Sequence, residues 1–417
     1  MKVLLLNTYP NGGGAAVASR RMLEALLAVG VDAKMLVAGS VSGEIQSEIS
    51  GIGGLRHRVA FLTERLGVFA QVHFDRKHLF RYSSGSNGLD ITEHPWVLEA
   101  DVIHLHWTQQ GFLSLEGLQR LLSLPGKRFF WSLHDLWPLT GGCHLPYLSE
   151  KNSRTSFCSK FLTHCGACPI LHSKQVRDGA YRQFEKKLQL PLEHVHFLGV
   201  SRAVIQIAKE SPLLRGAEVS LLPNMIPSEL YAPAVLDQER TERRILFVAA
   251  NLSDPVKGWD LCERVLESAA RISPEFEREA HLIAVGKLHD ARRTLERLPI
   301  RATHRLHCSS QGLIQLYQTA TLTLSTSRYE TFGQTLIESI ACGTPALSFS
   351  VGGTPDIIDP KRGNGQLVPP YDIEAMAEQM VLLSELHRNI DRMAISQTIL
   401  QFHTTNVASL LLKLYEA

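Results

Sequence analysis

Apolar residues in this chain fall into short solid runs separated by helical periodicity. "KVLLL" opens it, "AAVASRRMLEALLAVG" sets Val17, Leu23, Leu26 and Leu27 on one helical stripe, and "AKMLVA" follows as a second strand. "DVIHLHW" (101–107) and "RFFWSLH" (128–134) read as strands around the helical "LSLEGLQRLLSL", and "HVHFLGVS" (194–201) as another. A second cycle starts at "RRILFVAA" (243–250) and continues through "HLIAVG" (281–286), "ATLTLS" (320–325) and "TPALSF" (344–349). Strands alternating with helices predict parallel sheets with crossover connections. The expected class is α/β, with two Rossmann-like doubly wound domains facing a central cleft. The boundaries expected are 1–225 for the first domain, with a cysteine-rich insert at 143–170. A linker rich in proline and charge follows at 226–243, then a second domain at 244–395. A C-terminal helix at 396–417 is expected to cross back to the first domain. In such sheets ligands sit beyond the carboxyl ends of the strands.

Composition agrees with a chain that buries a core. At 417 residues it is long enough for two domains, and it is 44% hydrophobic and 20% charged. A net charge of +2, with no basic runs interleaved with aromatics, argues against nucleic acid as partner. No apolar run approaches the ~20 residues that span a bilayer. The first residues read as a buried strand and a glycine loop rather than as a signal peptide. A cytoplasmic setting with reduced thiols is therefore expected.

The stretch "SRYETFGQTLIESIACGTPALSFS" (327–350) carries two carboxylates eight positions apart, Glu330 and Glu338. A strand should run into the loop at Ser327–Glu330, and a helix should start near Thr331 or Gly333, burying Leu336, Ile337, Ile340 and Ala341. The free N–H groups of its first turn make an anion site suited to phosphate, and Gly333 lets a ligand approach closely. Glu338, roughly 7–8 Å along the axis, could then accept bonds from a ribose diol, while Glu330 faces whatever the phosphate carries on its other side. Taken alone, the pair also reads as a loop acid and an exposed helix acid. As the acid and base of a glycosidase they would leave the phosphate-shaped helix start without a job.

The run "E-TFGQTLI-E", followed by "S-I-A-C-G-T-P-A-L" and "VGGTPDII", resembles the donor site of family 4 glycosyltransferases, retaining enzymes of the GT-B fold. The resemblance covers most of the chain. It implies that Glu330 touches the donor sugar's hydroxyls, that Glu338 grips the ribose, and that amides of Phe332, Gly333, Gln334, Thr335 and Leu336 hold the diphosphate. It also implies that the loop at Gly12, Gly13 and Gly14 closes over the donor phosphates, although three glycines between a strand and a helix are often merely a turn. Lys257-Gly258 matches the family's phosphate-binding lysine and glycine. The arginine that commonly precedes them is replaced by Asn251 or an uncharged neighbour, and its bidentate grip on phosphate is missing. His134, at the end of a strand beside Asp135, matches the family's strand-end histidine, which would donate to a sugar hydroxyl or to the leaving phosphate. Without the resemblance it reads as a structural histidine. His104 and His106 are expected to line the core or the cleft.

Cys143, Cys158, Cys165 and Cys168 are four of the chain's seven cysteines. Cys165-Gly166-Ala167-Cys168 is a C-x2-C turn suited to chelation, and the other two would complete a structural zinc site. A disulfide, a redox pair and unliganded buried thiols are the alternatives. The segment also resembles an insert in bacterial polysaccharide transferases, including colanic-acid-type ones. Residues 55–81 mix Arg, Lys and His with Phe, Val and Leu at helical spacing. They read as an amphipathic surface helix pair, or as a basic lip for anionic lipid headgroups on the inner face of the plasma membrane.

Taken with these residues, the resemblance implies a retaining hexosyltransferase. It would move a sugar from a nucleotide-diphosphate sugar to a glycan or lipid-linked acceptor in surface-polysaccharide synthesis, without a catalytic metal. A sugar-nucleotide 2-epimerase of the same architecture and a catalytically inactive assembly partner are the alternatives.

Overall fold

The computed structural model describes residues 1–39, 47–76, 78–149, 155–233, 242–386 and 390–417. It divides the chain into two compact units, Met1–Pro223 with Ala408–Ala417, and Asn224–Val407.

The first unit is built on β1 (Lys2–Asn7), β2 (Asp32–Ala38), β3 (Ile49–Ile52), β4 (Val102–Leu105) and β5 (Arg128–Leu133). After a small antiparallel hairpin, β6 (Tyr147–Ser149) and β7 (Thr155–Phe157), come β8 (Val195–Gly199) and β9 (Val219–Leu221). The seven-stranded sheet runs β3-β2-β1-β4-β5-β8-β9, every pairing parallel. Its central strands are mostly apolar, as expected of parallel strands covered on both faces; Val3 to Leu6 are 0–2% exposed. The helix Gly14–Ala28 buries Met22, Leu23, Ala25 and Leu26, whereas Val17 and Leu27 are only half-buried. The buried face thus runs through Ala16, Ser19, Leu23 and Leu26 and is rotated slightly from the one expected.

The second unit contains β10 (Arg243–Asn251), β11 (Ala280–Lys287), β12 (Arg301–Arg305), β13 (Leu322–Ser325), β14 (Ala346–Phe349) and β15 (Gly365–Val368). Their order is β12-β11-β10-β13-β14-β15, again all parallel. Numbered within each sheet, both begin 3-2-1-4-5, the doubly wound Rossmann order, with a switch point between strands one and four.

Part of the linker expected at 226–243 lies outside the described residues, at 234–241. Before it, Ile226 and Leu230 are buried in the second unit, and Ile226 bridges to His403. The final helix, Thr404–Glu416, starts in the second unit, and its last residues belong to the first. There Tyr415 is buried with its hydroxyl 2.5 Å from His104 Nδ1. Among the described residues no helix is long and apolar enough to cross a membrane.

Candidate active site

In the second unit the loops after β10 and β13 lie side by side at the switch point. After Asn251, Asp254 caps a single 3-10 turn, Pro255–Lys257, by accepting from the Val256 N–H at 3.0 Å. Gly258 ends the turn at φ 68° and opens the helix Trp259–Ile272. A Cβ there would stand 2.1 Å from the Thr326 carbonyl oxygen, so only glycine lets the two loops touch. Further bonds stitch them together. Thr326 Oγ1 donates to Gly258 O at 2.7 Å, and the Arg328 N–H donates to Val256 O at 2.7 Å. The Arg328 guanidinium grips Asp260 with both arms, at 2.8 and 2.6 Å, and also donates to Pro255 O.

This stitching places Lys257 against Glu330. Lys257 Nζ donates to Glu330 Oε1 at 2.8 Å, and the same oxygen accepts from Ser327 Oγ at 2.7 Å. The pair is part-exposed, with side chains 31% and 15% accessible. Burial works to lower the Lys257 pKa, but the Glu330 charge and hydrogen bond outweigh it and hold the ammonium above its ordinary value. Lys257 is therefore a fixed cation at neutral pH.

The helix after this loop is Gln334–Ala341, one position later than expected, because Gly333 takes φ 107° as its N-cap and cannot be helical itself. Leu336, Ile337, Ile340 and Ala341 are buried as their spacing predicts. Phe332 is 2% exposed and packs edge-on against Phe402, 5.8 Å between centroids. It anchors the loop, so any role it has toward a ligand falls to its backbone. Thr335 is half-buried in the first turn. Glu338 is 6% exposed, and its two oxygens accept separately, from Tyr317 OH at 3.2 Å and from Gln334 Nε2 at 3.1 Å. Gln334 is in turn bonded by Asn224 at 3.2 Å. The "VGGTPD" turn holds the Glu330 backbone. Gly353 N–H donates to Glu330 O at 2.8 Å, and a Cβ on Gly352 would meet that oxygen at 1.9 Å. Asn251 is exposed, and its side chain accepts from the Ser253 N–H, shaping the turn after β10.

In the first unit the strand ends carry a different chemistry. Gly12 and Gly13, at φ 86° and 79°, lead β1 into its helix; with Gly14 they are exposed, and a Cβ on any of the three would meet nothing within 4 Å. Their backbone is thus open to a ligand, and the positive φ explains the glycines at 12 and 13. At the end of β5, His134 Nε2 lies 2.8 Å from His106 Nδ1, and the rings stack 5.1 Å apart. His106 Nε2 is buried with no hydrogen-bond partner. An orphan N–H there would cost more than an orphan lone pair. His106 therefore carries its proton on Nδ1 and donates to His134 Nε2, which leaves the His134 proton on Nδ1. Burial lowers the His134 pKa to about 4, with Asp135 opposing, so it is neutral at physiological pH. Asp135 is a hub, accepting from Trp107 Nε1 at 2.7 Å and from the Trp137 N–H at 3.0 Å, and pairing with His144 Nδ1 at 2.7 Å. His104 and His106 are core residues, 0% and 2% exposed.

Of the residues singled out in the sequence, Lys257 and Glu330 are in contact in the second unit, and Glu338 lies on the helix that Gly333 caps. Gly12–Gly14 and His134 lie in the first unit. The sequence reading missed Ser327, Arg328, Asp260, Tyr317 and the His106–His134 pair. For Arg328 the available signal was its place in the strand-to-helix loop itself. Nothing in the sequence marks Tyr317, which lies 21 positions from Glu338.

Residues 237–398 match the family model described as Glycosyl transferases group 1. Among curated proteins, the chain is 27% identical over 202 residues to N-acetyl-alpha-D-glucosaminyl L-malate synthase of Bacillus anthracis, covering 46% of this chain and 52% of that protein. It is 27% identical over 226 residues to D-inositol 3-phosphate glycosyltransferase of Acidothermus cellulolyticus, covering 48% and 49%. The chain thus spans about half the length of the curated relatives it matches. Among solved structures, sucrose-phosphate synthase from Thermosynechococcus elongatus aligns with a TM-score of 0.64 at 18% identity, over 100% of this chain and 98% of that one. HepE from Anabaena, in complex with UDP and glucose, aligns at 0.60 and 15% identity, over 100% and 99%. The chain has the two Rossmann-like domains of the GT-B fold, and its second unit carries the Glycosyl transferases group 1 match.

Proposed function

We propose that the chain is a retaining glycosyltransferase of family 4 type, which moves a sugar from a nucleotide-diphosphate sugar to a glycan or lipid-linked acceptor in bacterial surface-polysaccharide synthesis. The observation that carries this reading is the Lys257–Glu330 pair at the switch point of the second sheet, next to the Gly333-capped helix. A fixed cation and a helix N-terminus suit a diphosphate, and a part-exposed carboxylate suits a sugar hydroxyl. Support also comes from a relative named as a D-inositol 3-phosphate glycosyltransferase and from a structural neighbour solved with UDP and glucose.

In this mechanism the acceptor oxygen bonds to the anomeric carbon as the bond from that carbon to the phosphate oxygen breaks. The electron pair stays on the phosphate, which takes the acceptor's proton on the same face. Lys257 and the amides of the first helical turn stabilise the growing charge, and no protein nucleophile is needed. Glu330 orients the donor sugar, Glu338 the ribose, and the neutral His134 donates a hydrogen bond.

A lipid-linked acceptor fits a feature of the helix Gly54–Gln71. This single helix, where the sequence suggested a pair, buries His57, Glu64 and Arg65 and leaves Leu55, Val59, Leu62 and Leu66 from 53% to 76% exposed. Those four form one stripe at i, i+4, i+7 and i+11, flanked by exposed Arg56 and Arg58. An apolar stripe with basic neighbours suits an anionic membrane surface. Flotation with anionic vesicles should carry the protein, and Leu62→Glu/Leu66→Glu should abolish it; equal flotation of the variant would end the membrane reading.

The test of the activity is a panel of UDP-, GDP- and ADP-sugars, with and without acceptor glycans. Glycosylated product that requires acceptor supports the reading, whereas an epimerised donor formed without acceptor supports the epimerase. Asn251, in place of the arginine expected from the resemblance, favours a non-catalytic partner, and polymer synthesis unchanged in Glu330→Ala cells would establish that instead.

A further inference from the structure

Four cysteines stand around one cavity of the first unit. The cavity is about 20 Å³, room for a single small body, and is lined by Cys143, Cys158, Cys165 and Cys168 with Tyr82 and Phe161. Cys143, Cys165 and Cys168 are 8–9% exposed, and all four thiols are free.

One backbone N–H of the surrounding loop is aimed at a sulfur. The Gly141 N–H donates to Cys165 Sγ at 3.1 Å. A neutral thiol is a weak acceptor, and such a donor gains most from a thiolate. The C-x2-C turn requires unusual backbone. Gly166 at φ 155° and Ala167 at φ 43° form the turn between the two sulfurs, and a Cβ on Gly166 would meet Val176 O at 2.2 Å. Holding an alanine in the left-handed region costs about 1 kcal/mol. Gly141 packs so closely on Cys165 that its Cβ would lie 2.8 Å from the cysteine Cβ, and a Cβ on Gly142 would strike the Tyr82 ring at 2.4 Å. These two glycines bring Cys143 beside the C-x2-C turn. Asp178 locks the arrangement, taking the Cys168 N–H at 2.7 Å on one oxygen and capping the helix Gly179–Leu188 with the other. Lys187, fully buried, donates to Thr140 O at 2.9 Å and so ties its helix to the backbone just before Cys143.

We infer that this cavity is a structural zinc site, with Cys143, Cys158, Cys165 and Cys168 as its four thiolate ligands. Four sulfurs suit tetrahedral Zn²⁺ and leave no open position, so the ion staples the insert rather than acting in chemistry. No three of the sulfurs lie within 4.8 Å of one another. A bound ion with Zn–S of about 2.3 Å therefore draws them inward, Cys158 closing the set as the ligand that is least buried. The group whose ligand atoms do meet that limit among the described residues is Asp75, His78 and His172. It is a less suitable site, because its two imidazoles already share Asp75 Oδ2, at 3.0 and 3.5 Å, and His172 is exposed.

The test is metal analysis of the full chain purified in reducing buffer. About one zinc per chain is expected, lost in Cys143→Ser and Cys165→Ser and kept in Cys308→Ser. Should the first two fail to fold, replacing the wild-type ion by Co²⁺ decides the matter through sulfur-to-cobalt charge-transfer absorption. Folded protein that contains no zinc, and gives no such absorption on adding Co²⁺, overturns the site. So does a mass two hydrogens lighter per cysteine pair in freshly prepared protein, which shows a disulfide.

Discussion

Lys257 Nζ lies 2.8 Å from Glu330 Oε1, although 73 positions separate the two in sequence. The contact forms because the first and fourth strands of a doubly wound sheet are neighbours, so the loops that leave them must meet. A part-exposed ion pair contributes little to stability, roughly 0–1 kcal/mol. Lys257→Ala and Glu330→Gln should therefore leave the urea midpoint nearly unchanged. If the pair serves the donor, each should lower kcat/KM by roughly 10²–10³. Variants that unfold normally and turn over normally would reduce the contact to a surface salt bridge.

Arg328 predicts the opposite pattern. It is 5% exposed and touches no expected ligand group, yet it ties the Lys257 loop to the Glu330 loop through Asp260 and Pro255 O. Arg328→Ala should cost about 2 kcal/mol, the scale of a lost charge-assisted bond, read as a drop in urea midpoint. Arg328→Lys should recover part of the stability but not the geometry, since an ammonium cannot reproduce the two-armed grip on Asp260. Its kcat/KM should stay below wild type.

The glycines separate close approach from conformational freedom. Gly352→Ala puts a Cβ 1.9 Å from Glu330 O and must displace the backbone that carries Glu330. It should impair both stability and turnover. Gly13→Ala meets no atom within 4 Å but keeps φ 79°, a cost of about 1 kcal/mol felt mainly at the loop. Comparing midpoints and kcat/KM of the two variants checks the distinction.

Both sheets were legible because parallel strands buried on two faces leave solid apolar runs. Strands β3, β9, β12 and β15 were missed for a physical reason. All lie at or near sheet edges, and β12, "RATHR", alternates exposed and half-buried positions with no apolar run to announce it. The carboxylates and Lys257 were legible because glycines and a helix start sit beside them in the chain. Arg328–Asp260, Tyr317–Glu338 and His106–His134 were not, because each joins positions 68, 21 and 28 apart that only the fold brings together.

Glu338 is held by Tyr317 OH and Gln334 Nε2 before any ligand arrives. If its carboxylate takes up a ribose diol, these bonds orient it and need not be displaced, since each oxygen has further lone pairs. Tyr317→Phe should then raise the donor KM several-fold with kcat little changed, whereas Glu338→Ala should raise it more. Inhibition by the free nucleoside diphosphate should weaken in parallel. Equal effects on a nucleotide-free sugar phosphate would place Glu338 away from the ribose.

Stability should fall on the acid side of neutrality through the stacked histidines of the first unit. Burial lowers the pKa of His104 to about 3 and of His134 to about 4, and that of His106 well below its ordinary value. In the unfolded chain each titrates near 6.5. Below that pH the unfolded state binds protons that the native state refuses, so unfolding becomes easier as pH drops from about 6.5 toward 4. Each histidine contributes at most about 1.4 kcal/mol per pH unit to that slope. Carboxylates contribute as well, so the informative measurement is a difference: His134→Gln against wild type, by urea midpoint at pH 7 and pH 5. The variant should lose less stability between the two. An identical loss would mean that the native fold does not disfavour protonation of His134, and the account of its burial would fall.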